Sequence, residues 1–346
     1  MYLKDAVIPR YRAMIVPTEE LKRKIKLNES YLCEKSTWYC IDGKLQYFKI
    51  RSDFRLFTER FFSMFGRGIL GLDTLDYEVA YVETISPGIK NSALEPKCGL
   101  LSENFQLPEY NYYLVSELLK PKISAFVSYG GYTLKSLLSF FKDYLGEDEY
   151  NANEIFLITL FIADAFTHQE DRNYNNICFK VPKIEGVLHE KRLRPEILST
   201  IPAASDEYAI GTNGTILLKN FTPSKVYDNE RILGVDHRNV FTYSPNKVWC
   251  PLFPFSQETL FKNQEQALAY QQQCDGLDPN LLELYLEYPH ICKPLFERLA
   301  YDSEYRRILE NFRGSASPII LTDKSLERVT TTLRDKQKVF ERILTY

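Results

Sequence analysis

The 346-residue chain lacks several features that mark special classes of protein. Its 15 glycines and 17 prolines are too few for a collagen-like or low-complexity sequence. None of its seven cysteines forms a Cys-x-x-Cys pair, which argues against a zinc site. Neither charge dominates, because 43 basic and 46 acidic side chains leave a net charge of −3. The composition therefore carries no sign of a nucleic-acid partner.

Long hydrophobic runs are also missing. The longest apolar stretch, residues 155–166, is interrupted by Thr159 and Asp164. Because a membrane-spanning helix needs about 20 apolar residues, this stretch predicts a buried core helix and no membrane partner. The N-terminus has no basic segment followed by an apolar run, so no signal peptide is predicted. Scattered cysteines are typical of a reducing compartment, and we expect a cytoplasmic protein.

Strand signals dominate the first third of the chain. Residues 31–50 predict a hairpin, because two β-prone runs flank Asp42-Gly43, a strong turn signal. In the return strand, alternation places Leu45, Tyr47 and Lys49 on one face.

Further along the chain, the predicted elements become mostly helical. Residues 73–85 predict a helix and residues 112–119 a strand. Amphipathic and apolar patterns predict helices over 133–145 and 151–168, and a short strand is expected over 177–181. A possible hairpin surrounds 211–214, and helical signals continue from 257 to 346.

One group of polar residues carries the chemical information. Asp171 lies just beyond the longest apolar helix, and Asn176 follows five residues later, directly before a strand. A later apolar run closes on Asp228. Upstream lie a strand lysine, Lys49, and a glutamate on a predicted helix, Glu78.

Phosphoryl transfer from ATP needs these residue types. A lysine holds the phosphates, a helix glutamate holds the lysine, and a loop aspartate orients the acceptor hydroxyl. An asparagine and a second aspartate supply the hard oxygen ligands that Mg²⁺ prefers. The chain order Lys, Glu, Asp-x₄-Asn, Asp is that of protein kinases.

At the level of motifs, the loop 171–177 and the segment 226–228 resemble the HipA-like serine/threonine kinases. That family's catalytic loop reads Asp-x-His-x-x-Asn, and a Pro-x-Tyr/Phe-Asp segment replaces Asp-Phe-Gly. The smaller members of the cell-translocating type are the more similar ones. The resemblance implies an α+β, two-lobed kinase-like fold, with a strand-rich lobe over 1–118 and a helical lobe over 119–346.

The resemblance also implies roles for the singled-out residues. ATP lies between the lobes, with Lys49 on its phosphates and Glu78 holding Lys49. Asp171 orients the attacking hydroxyl, which is expected on a serine or threonine of a protein substrate. Asn176 and Asp228 ligate Mg²⁺.

The sequence departs from the family pattern at several places. Asn173 stands where histidine is expected, and residues 182–220 read as an insertion. No glycine-rich phosphate loop exists; the matching segment 28–37 ends in Glu-Lys-Ser36-Thr37. A backbone cradle for phosphate usually contains glycine. A catalytically dead kinase fold that acts as a binding module is therefore an alternative.

Two further assignments remain at this stage. The segment Glu117-Leu118-Leu119 follows a predicted strand and is a candidate adenine hinge, where backbone groups carry the contacts. Phosphoinositide kinases share the Asp-Arg-x-x-x-Asn-Ile pattern, so a lipid or small-molecule acceptor is a second alternative. The oligomeric state and the pathway are left open.

Overall fold

The structure is a computed structural model that describes most of the chain. The described residues are 2–4, 7–15, 36–50, 54–85, 96–107, 109–119, 132–145, 147–182, 208–210, 216–218, 221–226, 229, 232–233, 247–313 and 317–346.

Within these ranges, strands and helices have the following bounds. The strands are β1 (Tyr2–Leu3), β2 (Arg10–Ile15), β3 (Ser36–Ile41), β4 (Lys44–Ile50), β5 (Glu78–Ile85), β6 (Lys97–Glu103), β7 (Tyr110–Leu114), β8 (Cys178–Pro182), β9 (Tyr208–Ile210), β10 (Ile216–Leu218), β11 (Thr222–Pro223) and β12 (Ile319–Ile320). The helices are α1 (Phe54–Phe65), α2 (Val115–Leu119), α3 (Leu134–Tyr144), α4 (Glu147–Thr167), α5 (Gln264–Gln273), α6 (Pro279–Glu287), α7 (Pro289–Tyr301), α8 (Glu304–Glu310) and α9 (Asp323–Leu344).

The strand-rich part forms a closed barrel in the order β2-β3-β4-β6-β5. The predicted hairpin is confirmed where it is described: Asp42 and Gly43 have φ of 49° and 75°, and they join β3 to β4. Two left-handed residues are what a tight two-residue hairpin turn requires. The predicted alternation in β4 is confirmed as well. Phe48 packs inside the barrel with residues of other strands, whereas Tyr47 packs on the opposite side, in the main core.

The helix predicted over 73–85 is wrong, because this segment contains strand β5. Both faces of β5 are buried: Val79 belongs to the main core, and Ala80 and Val82 belong to the barrel interior. Apolar residues on both faces blur the two-residue alternation of a strand. Val79 and Val82 then have the spacing of a helix face, which is how the prediction failed.

Helix α1 joins the barrel to the helical part. Its phenylalanines form a continuous stack in which Phe57 and Phe61 lie 5.7 Å apart and Phe61 and Phe65 lie 5.9 Å apart. Phe65 then stacks on Phe166 of α4, at 5.2 Å between ring centroids. Large buried aromatic surfaces stabilise such a junction strongly, so α1 is fixed against the end of α4.

The helical part is organised around α4, which is buried over most of its length. The predicted helices over 133–145 and 151–168 are confirmed as α3 and α4, and Thr133 caps α3 by accepting a hydrogen bond from the Ser136 amide. Among the residues described, no helix is long and apolar enough to cross a bilayer.

The other strand predictions are met in part. The strand over 177–181 is confirmed as β8, and β9 pairs with β10 on either side of the predicted 211–214 turn, which itself lies outside the described residues. The strand over 112–119 is only half right, since β7 ends at Leu114 and helix α2 follows. Of the 182–220 insertion, residues 183–207, 211–215 and 219–220 lie outside the described part.

Candidate active site

Lys49 is buried on the outer face of the barrel. Its side chain forms an ion pair with Glu59 of α1, and the two residues are 2% and 0% exposed. Strand alternation directs Lys49 away from the barrel interior, and α1 covers that face. A lysine is rarely buried unless it is paired, so this contact marks a site with a specific requirement for charge.

The structure places Glu59, not Glu78, at the lysine, and the prediction for Glu78 is corrected accordingly. Glu78 begins β5 and accepts a hydrogen bond from the Tyr11 hydroxyl at 2.9 Å, at an exposed position. The signal for Glu59 was present in the sequence. It is the one acidic residue of Phe54–Phe65, a segment whose phenylalanines recur at helical spacing.

Glu59 is also contacted by a segment that lies far along the chain. The backbone N–H of Asn229 donates to Glu59 Oε2 at 2.9 Å. Shortly before it, the Val226 amide donates to the Asp73 carbonyl at 2.7 Å. Asp228 itself lies outside the described residues; of its described neighbours, Val226 is bonded to Asp73 and Asn229 to Glu59.

The loop after α4 brings Asp171 and Asn176 together. Asn176 Nδ2 donates to the Asp171 carbonyl at 3.0 Å, and Asn176 Oδ1 accepts from the Asn173 amide at 2.8 Å. The Asp171 amide donates to Gln169 Oε1 at 3.2 Å. These bonds close the loop on itself, so the five-residue spacing seen in the sequence is what allows Asn176 to reach back to Asp171.

Arg172 is buried between this loop, helix α4 and the segment of Asn229. Its guanidinium donates twice to Asp164 of α4, at 2.9 and 3.0 Å, and once to Asn229 Oδ1, at 2.6 Å. Burial raises the pKa of Asp164, and the charge of Arg172 opposes that shift. The guanidinium therefore links the helix before the loop to the segment that follows Asp228.

A third set of contacts holds the residues just before Asp171. Glu170 pairs with Lys247 and lies 3.0 Å from His168 Nε2. Trp249 Nε1 donates to the Gln169 carbonyl at 2.7 Å. Burial lowers the pKa of His168 to about 4. Burial alone would raise the pKa of Glu170, but His168 and Lys247 lower it to about 2.

The predicted phosphate-covering segment reaches the lysine through the β3–β4 pairing. Ser36 and Thr37 are the first residues of β3, and they lie opposite Lys49 and Phe48 in the register. The side chains of Ser36 and Thr37, and all of residues 28–35, lie outside the described part. Their proposed contact with phosphate therefore stays a prediction.

The candidate hinge at Glu117 and Leu119 adopts a helix instead of the extended backbone expected. The side chains of both residues are outside the described part. At the start of this helix, the amide of Ser116 donates to the Tyr174 carbonyl at 3.2 Å. The segment is thus tied to the loop that follows Asp171, and the hinge assignment stays a prediction.

The crossover from the barrel to the helical part lies directly after β6, ahead of the 117–119 segment. There Phe105 packs against Trp38 and Tyr47, with ring centroids 5.8 and 6.1 Å away. The Tyr112 hydroxyl donates to the Phe105 carbonyl at 3.1 Å and accepts from the Leu107 amide at 2.8 Å. This crossover borders the same side of the barrel as Lys49, and sequence reasoning missed it.

Comparison with known structures finds matches at low sequence identity, among them the following two. The Helicobacter pylori proinflammatory kinase CtkA matches with a TM-score of 0.50 and 12% identity, over 90% of this chain and 93% of that one. HipA, in a toxin–antitoxin complex of Shewanella oneidensis with HipB and operator DNA, matches with a TM-score of 0.45 and 11% identity, over 99% of this chain and 74% of that one. No family model and no curated protein sequence matches the chain.

The class that these observations define is a mixed α+β, kinase-like fold with a strand-rich N-terminal part. The resemblance to HipA-like kinases that the motifs suggested is confirmed at the level of the fold. Sequence identities of 11–12% support a statement about the fold alone.

Proposed function

We propose that this protein is an ATP-dependent phosphotransferase that modifies serine or threonine hydroxyls of a protein. One observation carries the proposal: the buried Lys49–Glu59 pair is joined through Asn229 and Arg172 to the loop of Asp171. A lysine–glutamate pair and a loop aspartate are the parts that position ATP and the acceptor in kinases.

In this proposal each described side chain has one task. Lys49 binds the phosphates, Glu59 holds the Lys49 ammonium in place, and Asp171 orients the acceptor hydroxyl and accepts its proton. We place the adenine near the crossover of Asn104–Leu107. In this reading, the 117–119 segment instead serves to hold the catalytic loop.

The residues present also fit a magnesium ion. Asn176 Oδ1 accepts one described hydrogen bond, from the Asn173 amide, and a carbonyl oxygen has two lone pairs. With Asp228 it offers the hard oxygens that Mg²⁺ prefers. When bound, the ion neutralises charge on the phosphate oxygens.

A groove on the helical part is linked to the candidate catalytic loop through one hydrogen bond. The groove has a volume of about 660 Å³, and Thr133 lies in its wall. The Tyr174 hydroxyl of the catalytic loop donates to the Thr133 carbonyl at 3.3 Å. The choice of a protein acceptor rests on the resemblance of the loop motif to the HipA-like serine/threonine kinases. A lipid or small-molecule acceptor and a dead kinase are the competing outcomes.

The test is phosphate incorporation from ATP with magnesium, measured by mass spectrometry on the protein itself and on a serine/threonine peptide library. We expect Asp171→Asn to lower the rate by about 10²-fold or more, because the amide cannot accept a proton. The matched control is Asp148→Asn, at an exposed position in the first turn of α4.

Transfer by Asp171→Asn at the wild-type rate would contradict the role of Asp171. Transfer only to lipids or small molecules would contradict the protein acceptor. If wild type binds ATP and no acceptor is modified, the chain is a binding module.

A further inference from the structure

We propose that Arg172 and Asn229 act together as positioning residues, forming a buried bridge that sets the separation between the segments of Asp171 and Asp228. The proposal rests on the function proposed above and deepens it. Arg172 directly follows Asp171, and Asn229 directly follows Asp228. The contact between them joins the neighbour of the candidate base to the neighbour of the candidate metal ligand.

The bridge is part of a continuous chain of buried polar contacts. It begins at Lys49, passes to Glu59 Oε1, and continues from Glu59 Oε2 to the Asn229 amide. From Asn229 Oδ1 it passes to Arg172, whose guanidinium ends on Asp164. All five residues are 3% exposed or less. The chain spans five elements: β4, α1, the segment after Asp228, the loop that follows α4, and α4 itself.

The chemistry of arginine suits this position. The guanidinium is a planar group with five donors, so it can bind the Asp164 carboxylate with two N–H groups and still donate to a third acceptor. Asp164 neutralises the positive charge. The hydrogen bond to the neutral Asn229 amide then fixes the position of Asn229 relative to Arg172 without adding charge. A lysine at this position could keep the ion pair, but it has no fork with which to hold both partners.

Position matters here because a misplacement of about 1 Å at reacting groups costs about 10²-fold in rate. Arg172 and Asn229 are 57 residues apart in the chain, so local backbone geometry cannot set their distance. The bridge supplies this restraint. We therefore expect its loss to reduce turnover much more than nucleotide affinity.

The variant of choice is Asn229→Ala. It removes the acceptor for Arg172 and a long contact of 3.5 Å from Asn229 Nδ2 to Glu59, and it keeps the backbone N–H that binds Glu59 at 2.9 Å. We expect kcat to fall about 10-fold or more, with the KM for ATP within about threefold of wild type. The unfolding midpoint should fall about as much as in the control variant below, because each change removes the hydrogen bonds of one buried amide. Arg172→Lys should show the same division between kcat and KM.

The matched control is Asn153→Ala. Asn153 is also fully buried, and its Nδ2 donates to the carbonyls of Glu149 and Phe221, away from the candidate site. It should lose stability and keep kcat. If Asn229→Ala does not fold, Asn229→Ser replaces it. Wild-type kcat in the Asn229 variant, or a loss of kcat that Asn153→Ala reproduces, overturns the proposal.

Amide hydrogen exchange separates this inference from the proposed function. In the Asn229 variant we expect faster exchange across residues 169–176, and unchanged exchange in α9. If wild type transfers no phosphate, the proposed function fails, and the exchange result still decides whether the bridge holds the loop. Unchanged exchange across 169–176 overturns the bridge in either case.

Discussion

The partner of Lys49 gives the sharpest test of the site, because sequence and structure select different glutamates. We compare Glu59→Gln with Glu78→Gln, which remove one carboxylate each at nearly constant volume. Glu59 is fully buried against Lys49, whereas Glu78 is exposed and holds the Tyr11 hydroxyl.

The expected magnitudes differ widely. Removing one partner of a buried ion pair costs about 3–5 kcal/mol, because it leaves the other charge uncompensated in a medium of low polarity. Because glutamine keeps a hydrogen-bond acceptor, we expect about 3 kcal/mol for Glu59→Gln. Losing one exposed hydrogen bond costs about 0.5–1.5 kcal/mol at most, so Glu78→Gln should remain close to wild type.

The assay is urea unfolding of both variants, together with phosphate transfer from ATP at saturating concentration. In Glu59→Gln, a displaced Lys49 should lower turnover by about 10²-fold. Glu78→Gln should keep wild-type turnover. If Glu78→Gln loses activity and Glu59→Gln retains it, the assignment of the lysine partner from the structure is refuted. Equal stability losses in the two variants would refute the burial argument.

Three other outcomes are expected. ATP and Mg²⁺ together, at about 100 times Kd, should stabilise wild type by about 2.7 kcal/mol and raise its Tm by several degrees. Asp228→Ala should lose the part of this Tm shift that depends on Mg²⁺. Equal Mg²⁺-dependent Tm shifts in the two proteins would contradict the metal assignment. Burial lowers the pKa of His168 from 6.5 to about 4. As the pH falls, His168 therefore binds its proton in the unfolded chain before it does so in the folded one. The free energy of unfolding should be at its full value above pH 6.5 and should decline by about 3 kcal/mol toward pH 4. His168→Asn, which tolerates the left-handed backbone at this position, should flatten the change in urea stability between pH 7 and 5, and an unchanged slope would contradict this account. A Cβ at Gly99 would lie 2.5 Å from the Lys49 carbonyl oxygen. Gly99→Ala should therefore lower the free energy of unfolding by about 1–3 kcal/mol and weaken ATP binding. Gly68 has open space around it, so Gly68→Ala should change stability little in the same melting experiment.

The parts of the fold that the sequence predicted are those where local chemistry decides the structure. Asp42-Gly43 sets a two-residue turn, and the turn sets the register of β3 and β4. The long apolar run predicts α4, and the polar residues from Asp171 to Asn176 predict the loop between α4 and β8. Each of these depends on residues close together in the chain, so a single sequence contains the necessary information.

The lysine partner failed for the opposite reason, since it depends on which element covers which face of the barrel. Lys49 points outward, and either a helix directly after β4 or one later in the chain could have covered it. No element is predicted over the Phe-rich segment 54–65, so the helix wrongly predicted over 73–85 supplies the glutamate. The phenylalanine spacing of this segment is that of a helix which packs against the main core. Glu59, as its one acidic residue, is then the natural partner. The Arg172–Asn229 contact has no such signal, because no local pattern relates two residues 57 positions apart.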